Sequence, residues 1–353
     1  NEREVDLFQL KSFDNVPYRL RVPDERQYTT MTAISRLSIS CAENAIPAIV
    51  LQTAEGEIIT YQYAPWFELH QRFFDQCMLF ETGHFKVGSE ILSYVDARSA
   101  YPDTPLLQML PPAGVPLEPC HIKIIHRINR FVNHIRENML GPETKRELRK
   151  RKKHCRKNYR SCVKWFGKHL NTYSKVMVVR LDLYYKFGIS ELINTSPDFE
   201  GSRHNAHCLM TIKTDVERLL GNFRSDPTLK EIIGYCLKFE HGPYKGQHVH
   251  CIILLDGHAH QKDVKWAEDI GQYWVKLTNG KGAYHNCNRN SSDYKYPCTG
   301  MISYDDHEKI HNLCRCLAYL CKSDQYFLFA PLACFRTIQK SVAPKEKSGM
   351  GRP

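Results

Sequence analysis

The spacing of apolar positions changes repeatedly along this chain. Over 66–95 they recur every three or four residues (Trp66, Leu69, Phe73, Phe74, Cys77, Leu79), which predicts an amphipathic helix. The same period returns over 120–140 (Ile124, Ile128, Phe131, Ile135, Met139), where Gly141-Pro142 stops it. It appears again over 262–277 (Val264, Ile270, Trp274, Leu277) and 307–329 (Cys314, Leu317, Ala318, Leu320). Further helices are expected from about residue 31 and over Val216 to Phe223, the latter after a connection at Cys208 to Ile212. Runs rich in β-branched and aromatic residues read instead as strands: Lys175 to Tyr185, Ile232 to Phe239, His248 to Leu255 and a short one near Thr299 to Tyr304. Ile46 to Val50 and Ile58 to Tyr63 flank Glu55-Gly56 like a hairpin, with Pro47 at a sheet edge.

Over 175–330 strands and helices interleave, and a Gly/Pro turn at 242–246 makes the central pair an antiparallel hairpin. This predicts an α+β fold: an antiparallel sheet with helices packed on one face. The Pro-rich stretch 99–116 is the expected boundary of a smaller mixed α/β N-terminal domain, residues 1–116, whose first thirty residues look irregular. A helical basic segment (117–172), the sheet domain (173–335) and a flexible basic tail (336–353) follow.

Composition narrows the setting. Apolar residues make up 42% of the 353 positions, enough for packed cores and too many for a disordered chain. No apolar run approaches the ~18 residues of a membrane span, and the polar, acidic start carries no secretory pattern. A cytoplasmic chain, in a bacterial cell by the resemblance described below, with no membrane partner is the expectation. The fourteen cysteines then read as reduced thiols, and Cys-x-x-Cys is absent. A zinc site from His285, Cys287, Cys298 and His307 is a weaker alternative.

The net charge of +11 is concentrated: residues 144–160 alone hold ten Lys/Arg against one Glu. Such a segment is either a solvated helix face or a phosphate-binding surface. Arg149, Lys150, Arg151, Lys152, Lys153, Arg156 and Lys157 are its candidate nucleic-acid contacts. Tyr159, Trp165 and Phe166 among them suit base stacking, but fit the buried face of a helix better.

Candidate chemistry gathers in the sheet domain. In His248-Val249-His250 the two imidazoles alternate onto one strand face. Glu240, at the end of the partner strand, can supply a hard oxygen, with His241 its rival because neighbouring strand residues face opposite ways. Two imidazoles and a carboxylate with open positions suit Mn²⁺ or Mg²⁺ holding a phosphate. Sixty-nine residues beyond His250, Tyr319 and Lys322 share a helix face at i and i+3. A cation and a metal nearby would favour the phenolate as a nucleophile.

Together, a His-hydrophobe-His strand and a later Tyr-x-x-Lys helix resemble the HUH endonucleases, the nicking enzymes of rolling-circle replication, conjugation and some transposition. Within that superfamily the chain looks like the inovirus-type replication initiators and their prophage-encoded relatives. The strand Val178 to Tyr184, the Glu240 hairpin into His248-Val-His250 and Leu254-Leu-Asp-Gly257, the helix Ala318 to Gln325 and the terminal Gly351-Arg-Pro353 carry that resemblance. It covers roughly 120–353 and does not extend to 1–115.

The resemblance implies a ferredoxin-like or RRM-like sheet with the histidines on its central strand. It implies metal ligands at His248, His250 and Glu240, a nucleophile at Tyr319 with Lys322 beside it, and a site-lining strand in which Asp182 has no assigned role. Tyr326, seven residues beyond Tyr319, is a candidate second tyrosine. The implied reaction is metal-dependent nicking and rejoining of single-stranded or hairpin DNA at a replication origin through a 5′-phosphotyrosine, with a host helicase and polymerase as possible partners. A transposase, a relaxase and a non-catalytic origin-binding protein are the alternatives. The order of histidines before tyrosine speaks for the initiator arrangement.

Overall fold

The computed structural model describes residues 25–78, 87–186, 200–227, 229–242, 246–289, 291–322 and 336–345. They divide at Lys150/Arg151 into two compact units.

The first unit contains α1 (Glu25–Glu43), the hairpin β1 (Ile49–Ala54) and β2 (Glu57–Tyr63), α2 (Pro65–Met78), α3 (Ser89–Ala100) and α4 (Pro119–Leu140). The hairpin turns through Glu55 and Gly56, both at positive φ (52° and 86°), the geometry of a tight two-residue loop. Edge-to-face rings form the core: Phe67 on Phe74, and Phe74 and Tyr94 both on Phe131 of α4. The Asn129 amide on α4 pairs with both the N–H and the C=O of Ile49 at the start of β1.

The Pro-rich stretch belongs to this unit and does not separate domains. Tyr61 Oη donates to the Pro111 carbonyl, and Leu117 N–H donates to Ile59. The boundary expected at residue 116 is therefore corrected to Lys150/Arg151, inside the next helix. The helix expected over 66–95 is two helices, α2 and α3.

That next helix, α5 (Pro142–Tyr173), runs 32 residues. Pro142 starts it, where a missing N–H costs nothing. From Arg151 onward it belongs to the second unit, with β3 (Lys175–Tyr185), α6 (Glu200–Asn222), β4 (Ile232–Gly242), β5 (Gly246–Asp256), α7 (Asp263–Leu277), β6 (Gly282–Asn286), β7 (Gly300–Ser303), α8 (His307–Leu320) and β8 (Ile338–Lys340). The fold is mixed α+β with antiparallel sheets. In the large sheet the order is β6-β3-β5-β4-β8, and β7 pairs with the other half of β3 on the same edge as β6. Between β6 and β7 the Asn288 amide fills the gap, accepting from Arg180 N–H and donating to the Val178 carbonyl.

Helices cover both sheet faces, which corrects the single covered face expected above. α6 and α7 pack on one face: Phe223, just after α6, meets Tyr235, and Tyr284 hydrogen-bonds Glu268 of α7. On the opposite face Cys162, Trp165, Phe166 and Leu170 of α5, and Leu313, Cys316, Leu317 and Leu320 of α8, bury Val176, Val178, Cys236, Ile252 and Leu254. A strand buried on both faces loses its apolar/polar alternation, so β3 reads as nearly continuous apolar sequence. Its central interruptions, Arg180 and Asp182, fall on the face covered by α5 and α8. Trp165 and Phe166 are buried core residues, as the helix-face reading of them expects.

β6 was not foreseen in the Gly/Asn-rich 278–306 stretch. β8, too, lies in the tail expected to be flexible. Strand β8 pairs with β4, and Ser341 Oγ accepts from Tyr235 N–H and from the Trp165 indole; residues 346–353 lie outside the described residues.

One substitution tests the α7 face. A Cβ on Gly271 would overlap the Tyr284 ring. Gly271→Ala is expected to destabilise the chain by about 1–3 kcal/mol, the usual cost of overpacking, measured by urea unfolding. Unchanged stability would mean that α7 does not lie on β6 this closely.

Candidate metal centre and nucleophile helix

The antiparallel register assembles the site from three strands. Tyr184 and Glu240 stand opposite His248; in the next row Asp182 and Lys238 stand opposite His250, with His285 of β6 beyond Asp182. Directly opposed residues share a face, so all these side chains project from the face on which α5 and α8 pack. The apolar residues of that face lie toward one end of the strands and the polar ones toward the other.

Glu240, His248 and His250 bring one ligand atom each to within 4.8 Å of one another. Glu240 Oε2 lies 3.1 Å from His250 Nε2 and 3.9 Å from His248 Nε2. The two imidazoles meet at 90° with centroids 4.8 Å apart, so their Nε2 atoms face Glu240 without stacking. This donor set fits a divalent ion: two borderline nitrogens and one hard oxygen. The backbone of the rival third ligand, His241, pairs with Gln247; its side chain lies outside the described residues.

Asp182 acquires a role here. Its Oδ1 accepts from His250 Nδ1–H at 2.6 Å. That bond fixes the ring's orientation and directs Nε2 toward the ligand position, as carboxylates behind metal-binding histidines do. Burial by itself would depress His250, but the hydrogen bonds and charges of Asp182 and Glu240 outweigh it and hold the imidazole up to about 9. Burial disfavours the Glu240 carboxylate, yet His250, Lys238 and His248 together pull it below its usual range. Without metal, then, the proton sits on His250 and must leave when an ion binds.

Two cations on this face carried no functional signal beyond a charge inside an apolar run. Lys238 is buried at 2% exposure, its Nζ 3.3 Å from Thr337 Oγ1. The Arg180 guanidinium stacks 4.7 Å from the Tyr294 ring centroid.

Tyr319 lies in the last turn of α8, 52% exposed, and Lys322 Nζ sits 5.5 Å from its ring centroid. The adjacent buried face of the helix (Cys316, Leu317, Leu320) seats it on the sheet. Partial burial, then the Glu240 and Asp182 carboxylates, hold the phenol above its ordinary range, while Arg180 acts the other way. Tyr326 lies outside the described residues.

The expected basic contacts lie on α5. Arg149, Lys150, Lys152, Lys153, Arg156 and Lys157 are exposed, and Arg151 is partly buried. The alternative zinc set does not converge among the described residues. His285 takes a 3.4 Å contact from Tyr294 Oη, Cys287 faces Asp182, Cys298 lies in the core with Cys316, and His307 is exposed. In a second cluster, Glu118, Cys120 and His121, Glu118 and His121 form the capping box of α4.

Lowering His250's proton affinity should expose these couplings. A raised folded-state pKa stabilises the protein fully below the unfolded value, ~6.5, and that stabilisation fades as pH rises through about 9. In chelator, unfolding free energy is expected to fall by roughly 1–3 kcal/mol across that window, and Asp182→Asn should flatten the fall. Mn²⁺ affinity should rise over the same window with proton release, read by calorimetry in buffers of different ionisation enthalpy. Asp182→Asn should weaken Mn²⁺ binding about 10- to 100-fold. Wild-type affinity for Asp182→Asn would remove Asp182 from the site.

A family model described as the YagK/YfjJ C-terminal domain matches residues 141–335, from the start of α5 past the end of α8. No curated protein and no solved structure matches the chain.

Proposed function

This chain belongs to the YagK/YfjJ C-terminal domain family, and from its site geometry we propose that it nicks and rejoins single-stranded DNA through a covalent 5′-phosphotyrosine. The observation that carries the proposal is the placement of two unlike chemistries on one sheet face. A buffered Glu240–His248–His250 ligand set lies there, and an exposed tyrosine with a lysine over its ring is carried by the helix that packs on that face. The fold supports it as well. Elements β3-α6-β4-β5-α7-β6 with strand order β6-β3-β5-β4 have the connectivity of a ferredoxin-like split βαβ sheet. In that arrangement the histidines lie on a central strand, β5.

Glu240 Oε2, His248 Nε2 and His250 Nε2 would hold the divalent ion, Mn²⁺ or Mg²⁺. When bound, such an ion supplies Lewis-acid polarisation of a phosphate oxygen and positive charge that offsets the carboxylates. Asp182 keeps the His250 proton on Nδ1. Lys322 favours the Tyr319 phenolate and the charge that develops on the phosphoryl oxygens. Tyr319 Oη attacks phosphorus as the bond to the 3′ oxygen breaks. The phenol proton is lost, and the departing 3′ oxygen gains one. Attack by a 3′-OH reverses the exchange, so the phosphoester energy is kept and ATP is not required. A free 3′-OH can prime replication, which makes initiation of rolling-circle replication of a phage- or prophage-type element the role we favour, at a hairpin or single-stranded origin. The basic face of α5 would hold flanking phosphates.

Two experiments test this reading. With a single-stranded or stem-loop oligonucleotide and Mn²⁺, the wild-type chain should form a covalent adduct that survives denaturing electrophoresis. Tyr319→Phe should abolish that adduct while leaving DNA binding within a few-fold; an adduct formed by the variant would identify another nucleophile, and none from wild type would defeat the enzyme reading. Separately, neutralising Arg149 to Lys153 should flatten the salt dependence of DNA binding by roughly 0.7–0.9 in log–log slope per lost phosphate contact. An unchanged slope would remove α5 from the interface.

A further inference from the structure

The exposed side of α8 continues the line of Tyr319 and Lys322 with two residues that the proposed attack does not use, His311 and Arg315. His311, Arg315, Tyr319 and Lys322 are all exposed and recur at the three- and four-residue spacing of a single helix face. Arg315 Nε points at His311 Nε2, 3.3 Å away. Alongside this row stands Tyr296, which belongs to the loop between β6 and β7. Its ring lies 5.9 Å from Arg315 Cζ and 5.6 Å from Lys295 Nζ, and the residue is 37% exposed.

The loop that carries Tyr296 is fastened on both sides. Before it, Tyr294 stacks on the partly buried Arg180 and reaches His285. After it, Cys298 is 2% exposed and packs in the core with Cys316 of α8. At the root of the loop Asn288 hydrogen-bonds β3 and Asp263. A partly exposed aromatic ring on a segment held this way has little entropy to lose on binding. With the Arg315 guanidinium and the Lys295 ammonium over its ring, it has the elements that bind unpaired bases: an aromatic ring for stacking and cations that take the backbone phosphates.

We propose that Tyr296 and Arg315 form a base-stacking subsite one helical turn before Tyr319, occupied by an unpaired nucleobase of the DNA strand whose phosphate reaches the tyrosine. The assignment rests on the nuclease reading and adds to it the surface that orients the strand. Tyr296 stacks on the base, and Arg315 and Lys295 lie against the flanking phosphates. Duplex DNA has no base free to enter, so the subsite selects single strands.

The test uses the full chain in chelator, so that binding is read without cleavage. The probes are a fluorescein-labelled single strand about 20 nucleotides long and its duplex. Tyr296→Ala is expected to weaken single-strand binding about 5- to 150-fold and to leave duplex binding within about twofold. Tyr296→Phe, which keeps the ring, should bind like wild type. A 2-aminopurine in the strand should be quenched by wild type and by Tyr296→Phe but not by Tyr296→Ala. Single-strand binding by Tyr296→Ala equal to wild type would overturn the subsite, as would a Tyr296→Phe defect as large as that of Tyr296→Ala. If that happens while wild type still forms the tyrosyl adduct, the subsite alone falls; if wild type binds no single strand, the nuclease reading falls with it.

Discussion

The hydrogen bond from His250 Nδ1 to Asp182 orders the polar cluster on this sheet. It crosses from β5 to β3 at 2.6 Å, and it exists only because antiparallel pairing puts those two residues directly opposite each other. A shift of one residue would carry one partner to the other sheet face. With the register as it is, the imidazole has one nitrogen committed and the other turned toward Glu240. The same carboxylates that favour the histidine's proton oppose ionisation of the Tyr319 phenol. A cation held at Glu240, His248 and His250 would act on both groups at once: it would displace a proton from His250 and ease the loss of one from Tyr319.

That face of the sheet serves two purposes along its length. Toward the Val176 end, α5 and α8 seal it with Trp165, Phe166, Leu313 and Leu317. Toward the Tyr184 end it turns polar, with Asp182, Lys238, Glu240 and both histidines. α8 spans this change, its inner side in the core and its outer side carrying Tyr319. The packing that stabilises the domain is thus the packing that positions Tyr319, so loosening α8 would disturb the core and that residue together. α5 is divided in the same way, with Cys162, Trp165 and Leu170 buried and its cations outward.

Several features were hidden from linear pattern for definite reasons. The Pro-rich 99–116 stretch looks like a linker because proline interrupts helix and strand, yet its Pro111 and Val115 carbonyls accept from Tyr61 and Thr60 of the β1–β2 hairpin and bind it to the first unit. β6 and β8 are short edge strands of five and three residues, too brief for alternation to emerge. The second helical layer went unseen because one buried face per helix does not say against which side of the sheet it lies.

The Glu240–His248–His250 cluster was legible in the sequence because strand alternation is local: His248 and His250 must share a face, and a hairpin of this length must bring Glu240 near them. The Tyr319–Lys322 pair was legible for the same reason, since helical periodicity fixes i and i+3. What no local rule could provide was the partner across the sheet. Asp182 behind His250, Lys238 beside it, and Tyr296 next to Arg315 depend on strand order and on a loop fastened at both ends. These contacts join residues tens of positions apart, so only the folded chain decides them.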